Sequence, residues 1–185
     1  MTAVGLPNRV RIVGGRWRSR LVSFPDVPGL RPTPDRVRET LFNWLGQDLT
    51  GKACIDLYAG SGVLGFEAAS RNARLVVMVE RDVQAMRALQ ENRKALDASM
   101  VQLHRADALE FVRSDAGTYD VVFADPPYAG AQREVLLAWL KPRLAGGGLV
   151  YLEGPEAFTP PQGWRAYRSA RAGAVYYQLL EAQPH

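Results

Sequence analysis

The run Asp125-Pro126-Pro127-Tyr128 puts a carboxylate, two residues without a backbone N–H and an aromatic ring into four consecutive positions. The prolines fix the backbone and leave the turn with acceptors only, the Asp125 carboxylate and the Pro126 carbonyl. Such a turn suits an NH2 group. Tyr128, with Pro127 beside it, offers a face for stacking a planar base, worth roughly 1–3 kcal/mol. An exocyclic amine is a poor nucleophile because its lone pair is delocalised into the ring, but two acceptors can aim that lone pair at an electrophile. As nitrogen gains positive charge both hydrogen bonds strengthen, which lowers the barrier. Asp125 can also take the released proton, although loss to water would serve as well. Asp125, Pro126 and Tyr128 are therefore the candidate catalytic residues, with Pro127 and Tyr128 against the base. The plainer alternative is an ordinary proline-rich turn.

A second constellation begins at Asp56, where Gly60, Gly62 and Gly65 match G-x-G-x-x-G directly after an apolar run. This pattern allows a tight strand-to-helix turn with a ligand close to the backbone, and by itself fits NAD, FAD, S-adenosylmethionine or no ligand at all. Three carboxylates at strand ends narrow the choice. Glu80 is placed to accept from two ribose hydroxyls, Asp107 from an adenine amino group, and Asp56 from an ammonium directly or through water. Each alone could be a helix cap. Together they describe a pocket for ribose, adenine and an amino-acid moiety, with nothing beyond the glycine turn to suit a pyrophosphate. The predicted cofactor is S-adenosylmethionine, held by Asp56, Gly60, Gly62, Glu80 and Asp107, and its sulfonium methyl is the electrophile the amine site needs. Asp82 reads as the cap of the following helix. His104 and His185 stand apart from any metal-type cluster, so no metal is expected.

The elements that must position these groups alternate. Strands are predicted at 53–57, 75–80, 101–104, 119–124 and 149–153, with helices reaching to about Ser70, over Val83 to Leu96, around Leu109 to Val112 and over Arg133 to Leu144. Segments 164–169 and 174–180 flank Ala172-Gly173 with no helix between them, a closing hairpin. The expected fold is α/β, a doubly wound, mostly parallel seven-stranded sheet whose ligands bind at the strand carboxyl ends. Ahead of it, alternation at Arg9 to Val13 and Arg16 to Val22 around Gly14-Gly15 predicts a small N-terminal β-hairpin, and Pro25 to Pro32 an extended connector. Thr33 is read as capping a helix whose first position is Pro34. Residues 1–32 are thus an arm and 33–185 the main domain.

The charge is uneven. Residues 1–38 hold eight arginines against two aspartates, a net of +6, so the other 147 residues carry −2 of the total +4. Arg11, Arg16 and Arg18 of this arm are candidate phosphate contacts, with Trp17 available for stacking. The alternative is a folded-back segment with solvated arginines. The single Cys54 reads as core, in a reducing compartment. No apolar stretch approaches the roughly 18 residues of a membrane span, so the expectation is a cytoplasmic protein, taken as a monomer.

The segment Arg11-Ile12-Val13-Gly14-Gly15-Arg16-Trp17-Arg18 and the run from Leu30-Arg31-Pro32-Thr33-Pro34 to Trp44-Leu45, with the glycine loop and Asp125 to Tyr128, resemble the RsmD family of 16S rRNA guanine-N2 methyltransferases. The resemblance spans about residues 9 to 180. It implies a class I methyltransferase (Rossmann-like) fold, S-adenosylmethionine as donor, and as acceptor a guanine of 16S rRNA in an assembled or partly assembled small ribosomal subunit. Carried over by position, Asp56, Gly60, Gly62, Glu80 and Asp107 would line the cofactor, and Asp125, Pro126 and Tyr128 would hold the base. Val63 stands where many relatives carry alanine. The residues alone leave three rivals open: a DNA adenine-N6 methyltransferase, a non-catalytic RNA-binding module and a nicotinamide-dependent oxidoreductase.

Overall fold

A computed structural model describes residues 7–127 and 131–184. In chain order the elements are β1 (Asn8–Arg11), β2 (Leu21–Phe24), α1 (Asp35–Leu45), β3 (Ala53–Asp56), α2 (Val63–Ser70), β4 (Leu75–Glu80), α3 (Val83–Ala95), β5 (Val101–Arg105), α4 (Ala108–Ser114), β6 (Tyr119–Ala124), α5 (Ala131–Leu140), β7 (Leu144–Gly154), β8 (Trp164–Ala172) and β9 (Val175–Ala182). Strands β3 to β9 form one sheet in the order β5-β4-β3-β6-β7-β9-β8. The first five are parallel and the β8–β9 hairpin closes the sheet antiparallel. Chain progression reverses between β3 and β6, and the crevice of a doubly wound sheet opens at the carboxyl ends of that pair.

The central strands are apolar because helices cover both faces. β4, Leu-Val-Val-Met-Val-Glu, buries its middle four residues, as a strand coated on both sides must. Helix α2 is buried over all eight residues, since the N-terminal hairpin and α1 lie on its outer face. Val10, Ile12, Trp17, Val22 and Phe24 of the hairpin belong to the same core as α1, α2 and β4.

Several expectations are corrected. The hairpin's second strand starts at Leu21, because Arg16 to Arg20 form a turn closed by Ser19 N–H to Ile12 O at 2.8 Å. Thr33 does not cap α1: Pro34 holds the cap position without a side-chain bond, and the Thr33 hydroxyl meets Glu153 at 3.4 Å. Helix α5 stops at Leu140, with Lys141–Arg143 tightening into a 3-10 turn, because Pro142 has no N–H to continue an α-helix. β7 then begins at Leu144, ahead of the triple glycine, with an irregularity in its pairing to β6 before Val121 and Leu149 align.

Candidate active site

Asp56, Glu80, Asp107 and Asp125 stand at the carboxyl ends of β3, β4, β5 and β6, and the first, second and fourth line one cavity of about 290 Å³. Gly62 opens α2 with φ +79°, and a Cβ there would lie 2.4 Å from Leu89 Cδ2. A Cβ on Gly65 would lie 2.4 Å from Met78 Cε. Gly65 is therefore required by how closely α2 packs on β4, and Gly62 by its positive φ and by the approach of Leu89 from α3. Only Gly60 lines the cavity. A second hollow of about 150 Å³ adjoins, walled by Leu57, Val79, Ala106 and Ala108 with Asp107 at its edge, and the two share Tyr58, Glu80, Arg81 and Pro127. An apolar slot with carboxylates at its rim suits a purine ring and ribose.

Each carboxylate is already held. Glu80 accepts the Gly60 N–H at 2.8 Å on one oxygen and the Asp82 N–H at 2.9 Å on the other, so each oxygen keeps a lone pair for a ribose hydroxyl. Asp107 caps α4 through Oδ1, accepting from Leu109 and Glu110; its other oxygen has no bond among the described residues. Asp82 caps α3 as the sequence reading has it, accepting from Ala85 N–H at 2.8 Å. Asp56 is buried, and burial pushes its carboxyl up to about 7, helped by the charges of Glu80 and Glu153 against bonds from the Tyr58 and Gly65 backbone. Both neighbouring charges, Glu80 and Glu153, are negative. An acidic floor of this kind calls for a ligand cation, such as an ammonium or sulfonium, and repels the pyrophosphate of a nicotinamide dinucleotide.

At the turn after β6, Asp125 and Pro127 line the cavity. Nothing among the described residues donates to the Pro126 carbonyl. Tyr128 lies outside the described residues. The Asp125 carboxyl is raised by burial, then by its hydrogen bond and charge interaction with Glu153 and by Asp56, with Arg133 opposing. Glu153, buried at the end of β7, is a residue the sequence reading missed. It takes a hydrogen bond from the Tyr151 hydroxyl at 2.6 Å, and its backbone carbonyl accepts from buried Arg133 at 2.9 Å. A carboxylate ending the strand after the Asp-Pro-Pro turn was the available signal. The connector Pro25 to Pro32 likewise reads in sequence only as a linker, yet its residues 27–32, with Thr33, form one wall of the cavity.

The sequence profile of the family described as Conserved hypothetical protein 95 matches residues 10–181. The chain is 38% identical over 180 residues to Ribosomal RNA small subunit methyltransferase D of Escherichia coli strain K12, covering 95% of this chain and 91% of that protein. The Haemophilus influenzae protein of the same name is 36% identical over 196 residues, covering 98% and 100%. This chain belongs to the RsmD family. The solved structure of Escherichia coli yhhF superposes with a TM-score of 0.85 at 34% identity, covering 96% of this chain and 100% of that one. The fold is that of class I methyltransferases.

In this RsmD-family chain the arm sits elsewhere than its sequence suggests. Arg16 N–H bonds the carbonyl of Ser70, the last residue of α2, and the Arg16 guanidinium reaches Met100, just before β5. Arg20 bonds the carbonyl of Ala95, where α3 ends. Arg16, Arg18 and Arg20 therefore crowd the amino ends of the parallel strands, opposite the cleft. Trp17 is 8% exposed, its ring in the core under Arg16, so it is not presented for stacking. Arg11 pairs with Asp35 at 3.5 Å. Arg38, counted with the arm's charge, is wholly buried and bonds Glu67 at 2.6 Å. The cations beside the cleft are instead Arg31 and Arg81, exposed on its walls, and Arg105 at the end of β5. None of these three is in an ion pair among the described residues.

Among the described residues no helix is long and apolar enough to cross a membrane, and no group of three or more His, Cys, Asp or Glu is placed to hold a metal ion.

Proposed function

We propose that this chain transfers a methyl group from S-adenosylmethionine to the exocyclic N2 of a guanine in 16S rRNA of the small ribosomal subunit. The observation that carries the reading is the meeting, in one cavity, of the acceptor turn that begins at Asp125 with a buried Asp56 whose neighbouring charges, Glu80 and Glu153, are both negative. Membership of the RsmD family supplies the ribosomal substrate.

The residues fit the cofactor. Asp56 would take the ammonium, Gly60 and Glu80 the ribose, and the slot ending at Asp107 the adenine. When bound, the cofactor supplies a methyl carbon made electrophilic by its sulfonium. Asp125 and the Pro126 carbonyl accept the two N–H bonds of the amine and aim its lone pair along the line of transfer. Their bonds tighten as nitrogen becomes positive, which places most of their effect in the transition state. The cleft floor is anionic, so RNA phosphates must be met at the rim, where Arg31, Arg81 and Arg105 stand without an ion pair among the described residues. A guanine in a loop reaches such a cleft at lower cost than one stacked in a duplex.

The test is methylation of small subunits purified from cells lacking the gene, with the nucleosides then resolved by mass spectrometry. Appearance of N2-methylguanosine is expected. N6-methyladenosine, or methylation of duplex DNA but not of subunits, would replace this reading with the adenine-N6 alternative.

A further inference from the structure

The parallel pairing of β6 with β7 sets Ala124 against Leu152 and so brings the next residues, Asp125 and Glu153, side by side, close enough for their side chains to share a hydrogen bond, and two carboxyl groups share one only when one of them carries a proton. The surroundings favour keeping that proton. Around the pair stand Asp56 from β3, with Glu80 beyond it on β4, Tyr151 from β7, Tyr177 from β9 and Arg133 from α5. Among the described residues, buried Arg133 is the only cation acting on Asp125 and has no carboxylate ion pair. One positive guanidinium balances a pair that has lost one proton. A second ionisation would leave an uncompensated buried charge. The Tyr151 hydroxyl at 2.6 Å and the Thr33 hydroxyl at 3.4 Å both donate to Glu153, while burial and the neighbouring carboxylates push the Asp125 carboxyl up, so the shared proton is placed on Asp125. In that state Asp125 is a donor on one oxygen, the wrong character for gripping an amine.

We infer that Asp125 and Glu153 act as one carboxyl–carboxylate pair, which loses its proton when the cationic donor enters the cleft and receives the proton that the methylated amine must shed. Glu153 is the positioning residue and Asp125 the group that touches substrate. The balance is complete within the cleft. The nitrogen lone pair forms the new C–N bond, the S–C pair returns to sulfur, the N–H pair returns to nitrogen, and the proton goes to Asp125. Sulfur is then neutral, so the pair has regained its proton at the moment the sulfonium charge that expelled it has gone. Product release finds the site as it began.

The inference rests on the methyltransferase reading, and the experiment separates the two. Calorimetric titration near pH 7 in buffers of different ionisation enthalpy counts the protons released by S-adenosylmethionine and by S-adenosylhomocysteine. Asp56 meets the ammonium of both ligands and contributes equally, so the difference isolates the pair. Wild type should release about half a proton to one proton more with the sulfonium ligand, and Glu153→Gln should abolish the difference. In methylation assays the acid limb of kcat/KM, which reports free-enzyme groups, should move down by at least about one pH unit in Glu153→Gln, because a like charge is removed from Asp125. Tyr151→Phe should move it up, because the anion loses a donor. Equal proton release by both ligands, or an acid limb unmoved in both variants, overturns the pair. Failure of wild type to bind either ligand overturns the methyltransferase reading itself.

Discussion

Replacing Glu67 by alanine tests whether one buried carboxylate fastens the hairpin, α1 and α2 together. Glu67 and Arg38 are wholly buried and Arg71 is 2% exposed. One Glu67 oxygen accepts from Arg38 at 2.6 Å and from Val13 N–H at 2.7 Å, and the other accepts from Arg71. Arg38 would keep Asp35 and the carbonyls of Arg11 and Thr33, and Arg71 would keep Gln47 and the backbone of residue 67. The expected loss is therefore that of one broken buried pair, about 3–5 kcal/mol, which includes the unpaired Val13 N–H. A domain of this kind is stable by about 5–15 kcal/mol, so the variant should fold with a clearly lower urea midpoint and an unchanged slope. Urea unfolding measures the loss. Hydrogen exchange should show the Val13 and Trp17 amides losing protection, since Trp17 N–H is held by Ser70 at the end of the same helix. A loss below about 1 kcal/mol would refute the idea that this carboxylate is the fastening.

The remaining predictions concern the cleft. Asp125→Ala should lower methyl transfer by about a hundredfold to a thousandfold while changing the S-adenosylhomocysteine Kd by no more than a few fold; a large loss of cofactor binding would put Asp125 in the wrong role. Asp56, raised from 3.8 to about 7, must be ionised to meet an ammonium, so affinity for the donor should rise with pH through about 7, and Asp56→Asn should flatten that rise and weaken binding by about 1.5–3 kcal/mol. A folded carboxyl pKa above its unfolded value means the folded state binds the extra proton, so stability from this group is present at low pH and falls as pH rises from 3.8 toward 7. Asp56→Asn should accordingly unfold at higher urea than wild type at pH 8. Arg31→Ala with Arg81→Ala should raise the RNA KM and reduce the slope of log K against log salt by about 1.5, whereas Arg16→Ala with Arg18→Ala should alter that slope less; the reverse order would return RNA recognition to the arm.

What consecutive residues encode was readable without coordinates. The Asp125 turn announces its acceptor character because two prolines delete N–H groups wherever they stand, and β4 or β6 declares itself by an apolar run with an acid at its end. Strand-end carboxylates at Asp56, Glu80 and Asp107 follow from the same local grammar once the strands alternate with helices. The partner of Asp125 does not. Glu153 meets it only because β6 and β7 lie side by side in a register that sets Ala124 against Leu152, and register is a property of two strands together. The arm shows the same limit from the other side. Its arginines form one dense cluster in sequence, yet folding buries Arg38 against Glu67, pairs Arg11 with Asp35 and carries Arg16 to the far end of the sheet. Charge in a sequence states how much electrostatic potential is present. Where that potential points was decided by how the hairpin covers the apolar face of α2.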